Sequence, residues 1–216
     1  MVQAVENPDQ YFNNAEGVQT VCDLMEKNED AQFELPITEK TQLSPDTWKF
    51  KLGFPNPDWL MGLPLCQHMI FFKPAQEEGG QAVARKYSPV SPINQKGSID
   101  FVIKCYPETT EFPNGGAMGQ YLLTKNVGDS ILMEGPVGRI TYKGNATFHL
   151  KAKKKDFRVT KLGLIAGGSG ITPLFNVMDA IYRARDTSVT TVKMLYSNKT
   201  EADILLREEL DAINAD

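Results

Sequence analysis

Short segments in which apolar and polar residues alternate fill the chain from residue 32 to about residue 150. Residues 47–52 set Trp48, Phe50 and Leu52 against two lysines. This predicts a strand with one buried face, because neighbouring side chains of a strand point to opposite sides. Residues 98–106 alternate in the same way. Further strands are predicted at residues 68–72, 130–134 and 139–142.

Glycine and proline residues separate these predicted strands. The segment Gly135-Pro136-Val137-Gly138 is predicted to be a turn between two of them, because Gly and Pro adopt the backbone angles that turns require. Many short strands with such punctuation favour a small antiparallel β-barrel of Greek-key type over residues 33–150.

The pattern changes near residue 161. Residues 162–166 are continuously apolar, which is typical of a strand buried on both faces of a parallel sheet. The segment Gly167-Gly168-Ser169-Gly170 then leads to Thr172-Pro173, a favourable helix start, and a strand at 190–196 and a helix at 202–213 follow. This order predicts a Rossmann-like α/β dinucleotide-binding domain over residues 151–216. The domain is incomplete, since sheets ordinarily have about 4–6 strands.

The chain begins with a polar segment. Its first 26 residues contain five acidic residues and no Lys or Arg, the opposite of a signal or transit peptide, so no leader is expected. Apolar residues at helical spacing predict a helix within residues 15–26. We interpret residues 1–32 as an acidic N-terminal extension that packs on the main body.

Composition narrows the function classes. An apolar fraction of 41% and a charged fraction of 23% are those of a soluble globular protein. The net charge of −4 gives little support to nucleic-acid binding. The lysines at 151 and 153–155 are interpreted as a solvated loop, with a docking patch for an acidic partner as the alternative. No apolar run reaches the about 18 residues of a transmembrane segment.

The cysteines and histidines predict no metal site. Cys22, Cys66 and Cys105 lie far apart, without metal-binding or disulfide spacing, so reduced thiols are expected. His68 and His149 are expected to be structural or surface residues.

The first motif with chemical potential is Arg85-Lys86-Tyr87-Ser88-Pro89-Val90-Ser91. It places a guanidinium, an aromatic ring and a hydroxyl at a strand end. Such a set can bind a pyrophosphate, stack on a ring system and hydrogen-bond to its edge. Taken alone, a surface strand with an incidental arginine is the better interpretation.

Two glycine-rich segments precede predicted helices. Residues 114–122 (NGGAMGQYL) expose backbone N–H groups at a helix N-terminus, which favours an anion, although a plain loop-to-helix junction explains them as well. Residues 167–173 (GGSGITP) differ from the dinucleotide fingerprint because Pro173 stands where the third glycine would be. A glycine turn of this kind occurs in many β-α units.

Together, in this order and spacing, the three motifs resemble the ferredoxin-NADP reductase-like superfamily and, within it, the NADH-cytochrome b5 reductase family. The FAD-linked half of nitrate reductase is similar too. The resemblance runs from about residue 35 to residue 213. It includes Gly62-Leu63-Pro64, Gln67-His68, Phe101-Val102-Ile103-Lys104-Cys105-Tyr106, Glu134-Gly135-Pro136 and Asp203-Ile204-Leu205-Leu206-Arg207.

The resemblance implies an FAD site with a role for each matching residue. Arg85 would pair with the pyrophosphate, Tyr87 would lie against the isoalloxazine, and Ser88, ahead of Pro89, would hydrogen-bond near flavin N5. The cofactor cleft would be faced by Val102, Lys104 and Tyr106. The FAD phosphates and adenine would be surrounded by Phe112, Gly116, Ala117, Met118 and Gly119. The flavin ring would lie near Thr172, and NADH would meet Gly168, Ser169 and Gly170. Ser88, Lys104 and Thr172 would therefore flank the reacting rings.

The chain departs from the family pattern in the flavin-binding segment and in the nucleotide domain. Gly119 replaces the family's Ser or Thr, so FAD binding is expected to be weakened by about 0.5–1.5 kcal/mol, and Gly119→Ser is expected to tighten it. Ala117 stands where Lys is frequent. The family's Cys-Gly-Pro-Pro-Pro-Met segment has no counterpart here, so the nucleotide domain is expected to be C-terminally truncated, with weak or absent NADH binding.

The leading interpretation is an FAD-dependent oxidoreductase. Hydride would pass from NADH to FAD, and single electrons would then pass to a haem protein such as cytochrome b5. One alternative is an accessory subunit of a larger assembly, for example a mitochondrial one, in which other subunits cover residues 161–216; another is a fragment. The expected location is cytoplasmic, or peripheral to a mitochondrial or reticulum membrane. NADPH in place of NADH stays open.

Overall fold

The computed structural model describes residues 19–25, 32–75 and 82–215. Helix α1 (Val21–Met25) lies within the helix predicted for residues 15–26. The prediction is wrong for Gln19 and Thr20, which precede the helix, and its remaining residues fall outside the described ones. The backbone N–H of Thr20 donates to Asp23 Oδ2 at 3.0 Å, and the Asp23 N–H donates to Thr20 Oγ1 at 3.1 Å. Val21 and Cys22 are buried in the core of the first sheet. This part of the predicted extension therefore packs on the main body.

Six strands form one antiparallel sheet. Its order is β4-β3-β6-β1-β2-β5, so β6 returns to lie beside β1, which is the Greek-key arrangement. The strands are β1 (Gln32–Ser44), β2 (Thr47–Gly53), β3 (His68–Lys73), β4 (Val83–Tyr87), β5 (Ser98–Lys104) and β6 (Ser130–Val137). Helix α2 (Ala117–Thr124) lies between β5 and β6 in the chain.

The sheet curls so that its two edges meet. After β4, the backbone N–H of Val90 donates to the carbonyl of Asp100 on β5 at 2.9 Å. The enclosed core contains Phe50, Phe71 and Phe101, each with 0% of its surface exposed. The predicted antiparallel barrel is confirmed.

A second, three-stranded sheet joins the barrel to the rest of the chain. It consists of β7 (Ile140–Tyr142), β8 (Thr147–Leu150) and β9 (Lys155–Arg158). The turn predicted at residues 135–138 is wrong, because β6 continues through Pro136 to Val137, which pairs with His68 of β3. The predicted domain limit at 150/151 falls inside the β8–β9 hairpin. The exposed lysines 151 and 153 lie in a 3₁₀ turn between these strands.

The α/β half follows. Strand β10 (Lys161–Gly167), helix α3 (Thr172–Arg183), strand β11 (Thr191–Ser197) and helix α4 (Arg207–Ala215) occur in the predicted order. The two strands are parallel, with Gly167 opposite Ser197. The helix predicted at 202–213 is split, because Leu206 adopts a left-handed φ of 57° and only a 3₁₀ turn, Glu201–Asp203, precedes it.

Strand β10 is buried on one face only. Leu164 and Ala166 are buried, whereas Ile165 is 79% exposed, so the prediction of burial on both faces is wrong for the described residues. The buried face packs on α3 and on Val102 of the barrel, in one cluster with Ile171. Within the described ranges no helix is long and apolar enough to cross a membrane. All three cysteines are free thiols, as expected.

Candidate functional site

A cleft of about 400 Å³ lies where the barrel meets the α/β half, and we call it the inner cleft. Strands β4 and β5 form one wall, the first turn of α2 another, and the start of α3 a third. Most of the predicted site residues meet here. The predicted residues that line it are Arg85, Tyr87, Val102, Lys104, Tyr106, Phe112, Gly116, Ala117, Met118, Gly119, Ser169 and Thr172.

The inner cleft is positively charged. Arg85, Lys86 and Lys104 line it, and none of its described lining residues is acidic. The Arg85 guanidinium is exposed and donates to the carbonyl of Ala84 at 2.8 Å. No carboxylate of a described residue lies within ion-pair distance of Arg85. Its remaining donors are therefore available to an anion in the cleft, and a guanidinium suits pyrophosphate because it can bind two oxygens at once.

Tyr87 supplies a fixed aromatic wall. Its ring packs against Phe71, with centroids 4.9 Å apart, and Phe71 is fully buried in the barrel. Burial raises the pKa of Tyr87 to about 12, so the phenol stays neutral. A neutral ring held from behind by the core is suited to packing against a planar cofactor.

The first turn of α2 is open to the cleft. Its N-cap residue is Gly116, which has no side chain that could cap the turn, and the turn carries no acidic residue. The first N–H groups of any helix have no partner inside the helix and favour an anion. The N–H groups of Ala117, Met118 and Gly119 are thus the donors that a phosphate would meet.

Gly119 allows α2 to lie close to β5. A Cβ at residue 119 would stand 2.9 Å from Cys105 Cα and 3.3 Å from Cys105 Cβ. Real Cβ atoms do not approach backbone so closely, so any side chain here would push α2 away from β5. This contact argues against the expectation that Gly119→Ser tightens FAD binding, since the added hydroxyl would come with a displaced helix.

The α/β half contributes Ser169 and Thr172 to the inner cleft. Thr172 is 7% exposed, and its hydroxyl donates to the carbonyl of Ser169 at 3.4 Å. Pro173 lies in the first turn of α3, as predicted. The helix start is thereby fixed against the cleft.

A larger cleft of about 990 Å³ adjoins the first, and we call it the outer cleft. It opens at the carboxyl ends of β10 and β11, where Gly167, Gly168 and Ser197 line it. Open α/β sheets bind nucleotides at this edge. The two clefts share Lys104, Tyr106, Phe112 and Ser169.

Lys104 stands at the junction of the clefts and joins the two halves. Its ammonium lies 3.0 Å from Asp46 Oδ2 of the barrel and 2.8 Å from Asp203 Oδ1 of the α/β half. Burial alone would lower the pKa of Lys104, but the hydrogen bonds to Asp203 and Asp46 outweigh it and raise the pKa. We call this trio the Lys104 clasp.

Some predicted site residues lie elsewhere. Ser88 and Gly170 are not among the described residues that line either cleft, and Gly168 lines the outer cleft alone. Pro89 lines a separate, small pocket of about 20 Å³. The amide of Asn176 on α3 donates to the carbonyl of Pro89 at 3.4 Å. The segment after β4 is thus held against α3, and roles for Ser88 and Pro89 at the cofactor stay predictions.

Sequence reasoning gave neither carboxylate of the clasp a role, although Asp203 begins one of the stretches that carry the resemblance. Asp203 could have been found, because Thr200 and Asp203 have the spacing of a capping box, which the structure forms. Asp46 gave no comparable signal, since its turn comes close to Lys104 only after β2 and β5 pair, with Thr47 opposite Lys104.

The inner cleft fits the donor set that FAD requires. It combines an available guanidinium, open helix N–H groups, a backed aromatic ring and a glycine-rich wall, without an acidic lining residue. Arg85 and the first turn of α2 would hold the pyrophosphate. Tyr87 and Thr172 would border the isoalloxazine.

Comparison with known proteins identifies the families that the two parts of the chain match. The Oxidoreductase FAD-binding domain family matches residues 34–142, and the Oxidoreductase NAD-binding domain family matches residues 164–216. A barrel of the first kind followed by a domain of the second defines the class of flavin- and nicotinamide-binding oxidoreductases.

Several of the similar proteins are NADH-cytochrome b5 reductases, and a domain of nitrate reductase is similar too. NADH-cytochrome b5 reductase 2 of Gallus gallus is 41% identical over 193 residues, which cover 87% of this chain and 62% of that protein. The Mus musculus protein of the same name is 39% identical over 85% of this chain and 67% of that protein. The crystal structure of the cytochrome b5 reductase domain of Ulva prolifera nitrate reductase matches with a TM-score of 0.79 and 34% identity. The match covers 87% of this chain and 70% of the nitrate reductase chain.

This chain belongs to the NADH-cytochrome b5 reductase family. It spans 60% of the length of NADH-cytochrome b5 reductase 2 of Danio rerio and 67% of that of Mus musculus.

Proposed function

We propose that this chain binds FAD in the inner cleft and NADH in the outer cleft, and passes electrons from NADH to a haem protein such as cytochrome b5. The observation that carries the proposal is the shared wall of the two clefts. Lys104, Tyr106, Phe112 and Ser169 line both, so a flavin in one cleft and a nicotinamide in the other would meet at this wall.

The chain's own residues would bind and orient the cofactors. Arg85 neutralises the pyrophosphate of FAD while the first turn of α2 donates N–H groups to it, and Tyr87 supports the ring. Thr172, buried at the start of α3, closes the cleft from the α/β side. When bound, FAD would accept a hydride and release single electrons, which is the chemistry that the protein itself lacks.

The experiment is a titration of the full chain with FAD, followed by flavin absorbance and fluorescence. Arg85→Ala should weaken FAD binding roughly 10- to 100-fold, because a hydrogen bond to a charged group contributes about 1.5–3 kcal/mol. Arg158→Ala is the matched control, since Arg158 is exposed on β9 and lines neither cleft. Equal affinity of the Arg85→Ala variant and the parent chain would contradict the assignment of the site.

A second candidate function is favoured by the outer face of the α/β half. Ile165 and Leu195 are 79% and 67% exposed on neighbouring strands, and adjacent exposed apolar residues are common at protein interfaces. An accessory subunit that binds a partner through this face and lacks turnover would explain them. Such a chain would hold FAD, but the flavin would keep its absorbance when NADH is added.

A further inference from the structure

Lys40 of β1 reaches across the barrel to the end of helix α2. Its Nζ donates to the carbonyls of Leu122 at 3.4 Å, Leu123 at 2.8 Å and Lys125 at 2.7 Å. No carboxylate of a described residue lies within ion-pair distance of this ammonium. Its hydrogen-bond partners are backbone carbonyls, and the Asp129 carboxylate adds a more distant electrostatic attraction.

Two aromatic rings hold the ammonium in place. The Nζ atom lies 5.1 Å from the centroid of the Trp48 ring and 5.8 Å from that of Phe50, within the range of cation–π attraction. Burial is the main reason that the pKa of Lys40 is lowered. An ammonium that is withdrawn from water in this way depends on each of its remaining partners.

Helix α2 requires such a partner. The last carbonyls of a helix have no partner inside it and carry partial negative charge, and the last turn of α2 has no basic residue of its own. Lys40 supplies that cation from a strand 82 to 85 residues earlier in the sequence. The C-terminus of α2 is thus fixed to the barrel.

The other end of α2 forms the wall of the inner cleft. There the N–H of Gly116 and the amide of Gln120 both donate to the carbonyl of Tyr106, at 2.9 and 2.8 Å. The helix has eight residues, about 12 Å at 1.5 Å per residue. A helix this short moves as a unit, so loosening its C-terminus shifts the N–H groups at its start.

We propose that Lys40 is a positioning residue for the flavin pyrophosphate. It holds α2 from behind, so that the N–H groups of Ala117, Met118 and Gly119 point into the inner cleft. The inference rests on the proposed function, since it concerns the affinity for FAD. Lys40 itself lines neither cleft.

The test compares FAD affinity among Lys40 variants of the full chain at a temperature where circular dichroism shows each to be folded. Lys40→Met removes all three donors and should weaken FAD binding roughly tenfold. Lys40→Gln should give an intermediate loss, and Lys40→Arg should restore most of the affinity. Because affinity is compared only where each variant is folded, the graded order reports the position of α2 and not the fraction of unfolded chain, and Lys40→Gln and Lys40→Arg keep the test decisive if the Met variant does not fold.

Lys51→Met is the matched control, because Lys51 lies on β2 and pairs with Glu39 at the surface. It should leave FAD affinity unchanged. Equal affinities across the folded Lys40 variants, or a loss in Lys40→Met no greater than in Lys51→Met, would overturn the inference while leaving the proposed function intact. Absence of FAD binding by the parent chain would overturn both.

Discussion

The barrel and the α/β half bury their apolar residues in different ways. The barrel encloses its core, and Phe50, Phe71 and Phe101 have no exposed surface. The β10–β11 sheet is covered on one face: Leu164 is 7% exposed, whereas its neighbour Ile165 is 79% exposed. One half is closed on itself, and the other has a bare face.

The covered face of the α/β half depends partly on the barrel. Val102 of β5 lies in one apolar cluster with Leu164 and Phe175, and Leu65 of the barrel lies in another with Val177. Val102 also lines the inner cleft, so one of the contacts that cover the α/β half lies at the wall of that cleft. We therefore expect that a change in the packing of the α/β half on Val102 would also change the inner cleft.

The largest expected effect is on the free energy of unfolding, when a core isoleucine of the barrel and an exposed isoleucine of the α/β half are each replaced by alanine. Ile103→Ala in the barrel should reduce the free energy of unfolding by about 2–5 kcal/mol, because it leaves a cavity. Ile165→Ala on the bare face should change it by no more than about 0.5 kcal/mol. Urea unfolding of both variants measures the difference. Comparable losses would mean that Ile165 is covered in solution.

The next effect concerns two glycines, one in each half. Gly119→Ser should destabilise the chain by about 1–3 kcal/mol through overpacking against Cys105, and should weaken FAD binding. Gly163→Ser on β10 is the control, since a Cβ there meets nothing within 4 Å. Thermal unfolding and FAD titration are the measurements. Tighter FAD binding by Gly119→Ser would show that α2 tolerates a side chain against β5.

The smallest expected effect is loss of the contact between the halves at Asp203. The hydrogen bond from Lys104 is the main reason that the pKa of Asp203 is lowered. A carboxyl whose pKa is lower in the folded state stabilises folding above its unfolded pKa, and that contribution is lost as the pH falls through the folded pKa. Asp203→Asn should therefore destabilise modestly at neutral pH, and the effect should start to shrink only near the ordinary aspartate pKa of 3.8 and vanish below the lowered pKa of the folded state.

Unfolding midpoints across this pH range provide the measurement. Asp186→Asn serves as the control in the same half, because Asp186 is exposed and no hydrogen bond or ion pair of its side chain to another described residue is seen. A pH-independent effect of Asp203→Asn would show that the clasp contributes through packing and not through charge.

Strands β2 and β5 could be predicted because their apolar and polar residues alternate, which indicates one buried face. No strand was predicted for β1, the 13-residue strand at the centre of the sheet. Strand β5 shows the limit of such alternation. Its consecutive residues Phe101 and Val102 point to opposite faces, yet both are buried. The barrel core covers Phe101, and the α/β half covers Val102. A single strand's pattern does not reveal a layer added by residues 60 positions later.

Site residues that lie close together in the sequence were predicted. Residues that only the fold brings to the site were missed. Arg85 and Tyr87 share one strand, and the resemblance located both. The partners of Lys104 and the anchor Lys40 come from distant segments. Strand pairing brings Asp46 near Lys104, and antiparallel packing of β1 brings Lys40 under α2. Such contacts follow from topology and leave no local pattern.

The most direct test of the flavin site is a titration of the purified full chain with FAD, followed by anaerobic addition of NADH, with visible flavin absorbance as the readout. We predict saturation at one FAD for each chain and loss of flavin absorbance when NADH is added. A chain that leaves gel filtration without flavin, and that shows no saturable change in flavin absorbance or fluorescence during titration, would contradict the assignment of the inner cleft.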